Sequence, residues 1–504
     1  MAETATQTAS SADRLQELQK DSEFSGLLDK AVGQMYSEKA AEDGKQAVGD
    51  FIKNILDRGD YIWPEDFERT IKLMIADYDR RLSEQINLII HHADFQKLEG
   101  TWRGLHHLVY KTEVDETLKL RVMNVSKKDL AKNLEKFPDT AFDQSPLFKK
   151  IYEESYGTIG GHPFGCFIGD YEWDHSPKDV KTLDSIAKIS AASHAPFISA
   201  ASKSLFDIDS WEKLNDRRDL SKLFGQKEYM AWQALRDSDD SKYLGLVMPR
   251  FLARMPYGTG KNVVPVEEFD FEEDADGTDH ENYVWSNAAY TMGANITAAF
   301  KKNGWCTQIR GRLSGGTVAD LPCHVFSTSD GDSDLKCPTE VAIPDRRESE
   351  LSKNGFMPLC YVKNSPDAAF IGAQSLNKPK KYQGKGGTEA TESAKLSSRL
   401  PYTFAVCRFA HYLKAIVRDN VGRFMEKDDL LAYLNDWINN YVCDPKTAGE
   451  EMKAKRPLSA AEVEVTEVEG DPGAYNAVFR LRPHFQLEAV NVSLRLVSKL
   501  KGGS

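Results

Sequence analysis

Long apolar runs are missing from this chain. The longest, such as Ile86–Ile90, extend over only a few residues, far short of the roughly 20 that a membrane-spanning helix requires. Direct membrane insertion is therefore not expected. A basic segment followed by an apolar stretch is missing from Met-Ala-Glu-Thr-Ala-Thr-Gln-Thr-Ala-Ser, so a Sec leader is not expected either. No CxxC spacing occurs among the seven cysteines at 166, 306, 323, 337, 360, 407 and 443. An odd number of scattered thiols in a large chain fits a reducing compartment, with the cytoplasm as the default. Cationic excess is also lacking: the net charge of −12 argues against a general nucleic-acid binder. No internal repeat is visible. What remains is a chain of 504 residues, 41% hydrophobic and 28% charged, the balance of a globular protein with roughly two to four domains.

The clearest local pattern lies at the C-terminus. Tyr475, Ala477, Phe479 and Leu481 alternate with Asn476, Arg480 and Arg482. After Pro483, the residues Val490, Val492, Leu494 and Leu496 repeat the alternation against Asn491, Ser493 and Arg495. Period-2 patterning marks half-buried strands. Strands so near a terminus need partners, and an unpaired edge invites a strand from another chain. The segment Val463–Val468, with Gly470-Asp-Pro-Gly473 as a turn, reads as the preceding strand.

The N-terminal part reads as a small, polar lead of about 20 residues followed by short amphipathic helices. Phe51, Ile52, Ile55 and Leu56 share one face; they form either an arm that packs on another molecule or an ordinary helical lead-in. After Pro64, the residues Phe67, Ile71, Met74, Ile75, Tyr78, Leu82, Ile86 and Ile89 step by three or four, which predicts a long helix with one apolar stripe. From about 100 to 375 the pattern is mixed. Leu118–Met123, Phe164–Ile168 and Tyr243–Met248 read as strands and Val180–Ser193 as a helix, which predicts helices against a sheet. Residues 376–395 are rich in Lys and Gly and read as a long loop or domain junction. Two helices, Phe404–Asn420 and Lys427–Val442, follow.

Chemistry-bearing motifs are weak. Gly258-Thr-Gly-Lys-Asn262 lacks the first glycine and the Ser/Thr of a phosphate loop. In Gly157–Gly165, Pro163 interrupts any helix start that would hold phosphate. His91-His92 and His106-His107 are adjacent pairs, and neighbours on a helix point about 100° apart, so neither pair chelates one ion. Cys323-His324 and Cys166 have no local base and read as core thiols. The run Asp345–Glu350 is a solvated charged face or an interfacial ion-pair patch. No catalytic residue, cofactor site or metal site is expected.

Several blocks carry a family resemblance. His92-Ala-Asp-Phe-Gln-Lys-Leu-Glu-Gly-Thr-Trp-Arg-Gly-Leu-His-His-Leu-Val109 resembles the signature of the large subunit of the type VI secretion contractile sheath, the TssC, VipB or EvpB family. Leu147–Gly157, Gly160–Gly165, Ala192–Phe197, Leu246–Gly258, Asn287–Asn295, Pro338–Glu348, Ser397–Tyr402 and the terminal strands follow in the family's order. The resemblance implies an α/β contractile-sheath fold. It would have mixed sheets flanked by helices, an N-terminal helical arm, and C-terminal strands completed by neighbouring chains. It implies an arm over residues 1–63 that interweaves with a small sheath subunit (TssB or VipA type). A middle α/β domain would span 64–378 and an inner, tube-proximal domain 379–504. Further implied partners are neighbouring protomers, an inner tube of Hcp type, a baseplate, and a recycling AAA+ unfoldase that grips mainly the small subunit. Such a sheath assembles in the cytoplasm, within a membrane-anchored machine. The basic residues Arg480, Arg482, Arg495, Lys499 and Lys501 then either touch the tube or a protomer, or guard strand edges with charge. The alternatives are the sheath of another contractile device and a nucleotide-binding enzyme using Gly258–Asn262.

Overall fold

The computed structural model describes residues 67–487 apart from 217–218, 261–262, 268, 278, 329, 385, 424–425 and 469–474, together with a few residues between 39 and 50. The chain divides into two units, Met1–Glu84 and Gln85–Ser504.

In the first unit the long helix α1 (Phe67–Ile90) begins; it runs on into the second. Exposed ion pairs at helical spacing support it: Arg80 meets Asp77 at 2.8 Å and Glu84 at 2.6 Å. The expected apolar stripe is little buried among the described residues: Met74 is buried, whereas Ile75, Leu82 and Ile89 are exposed, as are Leu73 and Leu88 off the stripe.

The second unit is built on a six-stranded sheet. Helix α2 (Ala93–Tyr110) is capped by the His92 side chain, and α3 (Lys127–Glu135) by Ser126, whose Oγ accepts from Asp129 N at 3.1 Å. Then come β1 (Phe167–Trp173), α4 (Pro177–Ser193), β2 (Phe197–Ala201), α5 (Met230–Asp237) and β3 (Leu244–Met248). They are followed by α6 (Ala289–Asn303), β4 (Thr317–Val318), α7 (Asp345–Lys353), β5 (Phe356–Tyr361) and β6 (Ala368–Phe370). The strand order is β1-β2-β3-β5-β6-β4. The first four strands are parallel, with Phe197 opposite Phe167 and Leu244, and Leu246 opposite Phe356. β6 is antiparallel to both β5 and β4.

Both faces of this sheet are covered, so its central strands are almost wholly apolar, the buried Ser199 of β2 being hydrogen-bonded to Trp173 and Gly169. Leu244, Leu246, Met248 and Phe356 pack with Leu183 and Ile186 of α4 and Trp232 of α5. Val247, Met357 and Leu359 point the other way, onto Met292 and Ile296 of α6 and onto Leu400. At Gly245 a Cβ would lie within 2.8 Å of the side-chain ends of Ile198, Leu400 and Met357, which would have to shift to admit it.

The main elements that follow are α8 (Gly387–Ser397), α9 (Leu400–Asn420), α10 (Lys427–Asn439), β7 (Leu458–Glu467) and β8 (Tyr475–Pro483). Phe409 of α9, Leu434 and Ile438 of α10, Trp305, and Leu458, Val463 and Val465 of β7 make a separate core.

Three expectations are corrected. Leu118–Met123 forms no strand: its alternation is real, but Val122 and Met123 are exposed, so no buried face holds it in a ladder. The expected strand at Phe164 starts only at Phe167 and runs on through Asp170 and Glu172. Of the two readings of residues 376–395, a long loop or a domain junction, the single loop does not hold, because Gly387–Ser397 is helical, with Ala, Glu and Lys supplying propensity.

Candidate assembly surfaces

β7 and β8 form an antiparallel hairpin, with Glu467 opposite Tyr475, Val463 opposite Phe479 and Ala461 opposite Leu481. The alternation follows the sequence expectation. Tyr475, Ala477, Phe479 and Leu481 are half-buried on the aromatic core, and Asn476, Arg480 and Arg482 are exposed. The first partner of β8 is therefore the chain's own β7. In this two-stranded sheet the outer edge of β7 is bridged only at Leu458, which pairs with Val442, and the outer edge of β8 has no strand partner among the described residues. The second alternating segment, with Val490, Val492, Leu494 and Leu496, lies outside the described residues, as do Arg495, Lys499, Phe51, Ile52, Ile55 and Leu56.

Arg480 lies across the hairpin from two glutamates, 3.4 Å from Glu462 and 3.1 Å from Glu464. Arg482 is exposed, with its guanidinium 5.4 Å from the Phe485 ring centre. Arg480 thus pairs with charge on its own sheet.

A second surface was missed in the sequence reading. α2 turns its smallest residues inward. A Cβ on Gly100 would stand 2.5 Å from Trp285 O, and one on Gly104 would stand 2.3 Å from both Ser286 Oγ and the Tyr290 ring. Ser286 Oγ donates to Gly100 O at 2.7 Å, and Thr101 Oγ1 donates to Asp170 at 2.6 Å. The large apolar residues Phe95, Leu98, Trp102 and Val109 consequently face out, with Trp102 64% exposed. Their spacing by three, four and seven makes one continuous stripe. Two glycines four apart, opposite that stripe, were the available signal.

Beside it, a buried ion network fixes the helix. Arg254 donates to Glu99 at 2.6 Å and to both oxygens of Glu273 at 2.6 and 3.0 Å. Glu273 also accepts from Tyr257 N at 2.8 Å and lies 3.3 Å from His91 Nε2. Burial pushes the Glu99 carboxyl up, but Arg254 and Arg103 outweigh it and hold it below the usual carboxylate range.

The remaining motifs take structural roles. His106 stacks on Tyr110, and His107 packs against Phe251, where burial lowers it to about 4. His324 Nδ1 meets Tyr283 OH at 2.7 Å. Gly258 N donates to Val264 O at 3.0 Å, closing a turn; Lys261 and Asn262 lie outside the described residues. Arg347, from the charged run, is buried and pairs with Glu350 at 2.8 Å. Among the described residues no helix is long and apolar enough to cross a membrane.

The model of the EvpB/VC_A0108 tail sheath N-terminal domain matches residues 72–377, and that of the EvpB/VC_A0108 tail sheath gpW/gp25-like domain matches residues 389–500. The type VI secretion system sheath protein TssC1 of Pseudomonas aeruginosa is 54% identical over 501 residues, which is 99% of each chain. A chain of the cryo-EM structure of the anti-feeding prophage baseplate aligns over 76% of this chain and 84% of its own length. Its TM-score is 0.37 and its identity 9%, too remote a likeness to specify the fold. The family models and the full-length relative agree: the chain belongs to the EvpB/VipB (TssC) family of type VI secretion tail-sheath proteins.

Proposed function

We propose that this sheath protein is the large subunit of a two-subunit contractile sheath. It pairs with a small sheath subunit, polymerises around an inner tube on a baseplate, and contracts to drive the tube and its spike. Residues 1–63 form the arm that interweaves with the small subunit, 64–378 the middle domain and 379–504 the inner domain. The role is structural and mechanical, without catalysis or a cofactor. Recycling by an AAA+ unfoldase acts mainly through the small subunit, and the assembly is cytoplasmic.

The observation that carries this reading is the β7–β8 hairpin, with open edges immediately before a second alternating segment. Strands from neighbouring protomers complete it by backbone pairing. Such a sheet keeps its hydrogen bonds while other surfaces exchange contacts, which lets protomers rotate without separating. The outward stripe of Phe95, Leu98, Trp102 and Val109 supports a second, apolar contact with the small subunit. The full-length similarity to a type VI protein favours this machine over another contractile device. Expression with and without the small subunit tests the proposal. Tubular sheaths are expected with it, and aggregation of the large subunit without it. A monomeric, soluble large subunit that ignores its partner would overturn the reading.

A further inference from the structure

Beyond β8, residues 484–487 make the last set of contacts among the described residues. His484 N donates to Pro457 O at 3.0 Å, and His484 Nε2 lies 3.1 Å from Cys443 Sγ. Two residues on, Gln486 uses three groups at once. Its backbone N–H donates to Tyr402 OH at 3.0 Å, its Nε2 donates to Thr307 O at 2.8 Å, and its Oε1 accepts from Arg310 Nε at 2.7 Å. Tyr402, Thr307 and Arg310 are all buried, whereas Phe485 and Leu487 on either side of Gln486 are exposed.

The three partners sit on different parts of the body. Tyr402 is in the first turn of α9. Thr307 and Arg310 belong to the segment after α6, which is stitched to the six-stranded sheet where Gly311 N donates to Phe370 O at 2.7 Å. Gln486 therefore ties the exit of the terminal segment to both an interior helix and the main sheet.

We propose that His484–Gln486 is a clamp that sets the position and direction in which the terminal strand leaves the body, with Gln486 as its positioning residue. The proposal rests on the reading of residues 490–496 as an inter-protomer tether. A pull on that tether meets Gln486 before it reaches the β7–β8 hairpin. Three hydrogen bonds to buried groups resist it together, and load passes into the sheet and not into one exposed hairpin. The same fixation limits which neighbour the strand can reach. An exit held only by Phe485 and Leu487 would sweep a wide arc.

The test compares Gln486→Leu, Tyr402→Phe and Val492→Pro, each co-expressed with the small sheath subunit. Val492→Pro breaks the tether itself and reports on that reading alone. Amide hydrogen exchange is measured on the purified pair, and filaments are counted in negative-stain micrographs. In Gln486→Leu, exchange at the hydrogen-bonded amides of residues 484 and 486 should rise roughly tenfold or more while β7 and β8 stay protected. Filament number should fall by a similar factor, and Tyr402→Phe should show both effects more weakly. A merely structural glutamine would change melting without changing filaments. Normal filaments from Gln486→Leu overturn the clamp whatever Val492→Pro does, and so does a loss of filaments with exchange at 484–487 unchanged. If Gln486→Leu fails to pair with the small subunit, Tyr402→Phe decides, and wild-type filaments and exchange there overturn the clamp. Normal filaments from Val492→Pro alone overturn the tether.

Discussion

His411 shows how single residues are held in unusual states. Its Nε2–H donates to Ser193 O at 2.9 Å, while Nδ1 is buried with no hydrogen-bond partner among the described residues. Burial is the largest influence, joined by the charges of Arg408 and Lys414, and it brings His411 down to about 4. An ordinary histidine titrates near 6.5, so the unfolded chain takes the proton more readily than the folded one. The contribution of His411 is therefore complete above about pH 6.5 and is lost as pH falls toward 4, by about 3 kcal/mol at most. Urea midpoints should fall over that window. His411→Gln, which keeps a donor for Ser193, should flatten the fall by roughly one proton's worth; an unchanged slope would contradict this. Arg254 is the other residue whose loss is costly. Glu273 is 1% exposed, and Arg254→Leu removes its guanidinium partner, while Glu99 keeps Arg103 at 2.6 Å. A loss of about 3–5 kcal/mol is expected, read as a lowered melting temperature of the pair with the small subunit. A melting point at the wild-type value would show that the network is not needed.

At the scale of elements, α2 has two faces with opposite expected behaviour. Gly104→Val places new atoms where Ser286 and Tyr290 already sit, and overpacking of about 1–3 kcal/mol should lower the melting temperature. Trp102→Glu, on the outer stripe, should leave melting within about 0.5 kcal/mol of wild type. It should, however, reduce co-purification with the small subunit. Undiminished co-purification would remove α2 from the interface. The two faces also explain what could be read from the sequence. The hairpin was legible because Tyr475–Leu481 alternates and one side really is buried. The strand at Leu118–Met123 was misread because the same alternation occurs with both sides largely wet. The stripe of α1 and the stripe of α2 look alike in sequence, since periodicity reports that one face is apolar and not which way it points. The glycine pair of α2 resolves the direction only once Trp285 and Tyr290 are in place.

For the whole molecule, the α/β organisation and the family were legible from ordered blocks that later coincide with sheet edges, helix starts and turns. The clamp at Gln486 was not, because its partners lie 84, 176 and 179 residues away in the chain and no local pattern couples them. A helical sheath multiplies small differences. A net hydrogen bond contributes only about 1 kcal/mol, yet the same change repeated in every protomer supports mechanical work. The proposed tether requires a connection that persists while orientations change, and the alternation at Val490–Leu496 is the sequence pattern that suits one. The most direct test is electron microscopy of this chain co-expressed with the small sheath subunit, comparing wild type with Val492→Pro. Proline removes a backbone donor from the strand while leaving the β7–β8 hairpin intact. The tether account expects long tubular sheaths from the wild type and, from the variant, soluble pairs that do not polymerise. Sheaths of normal length and number from Val492→Pro would contradict it.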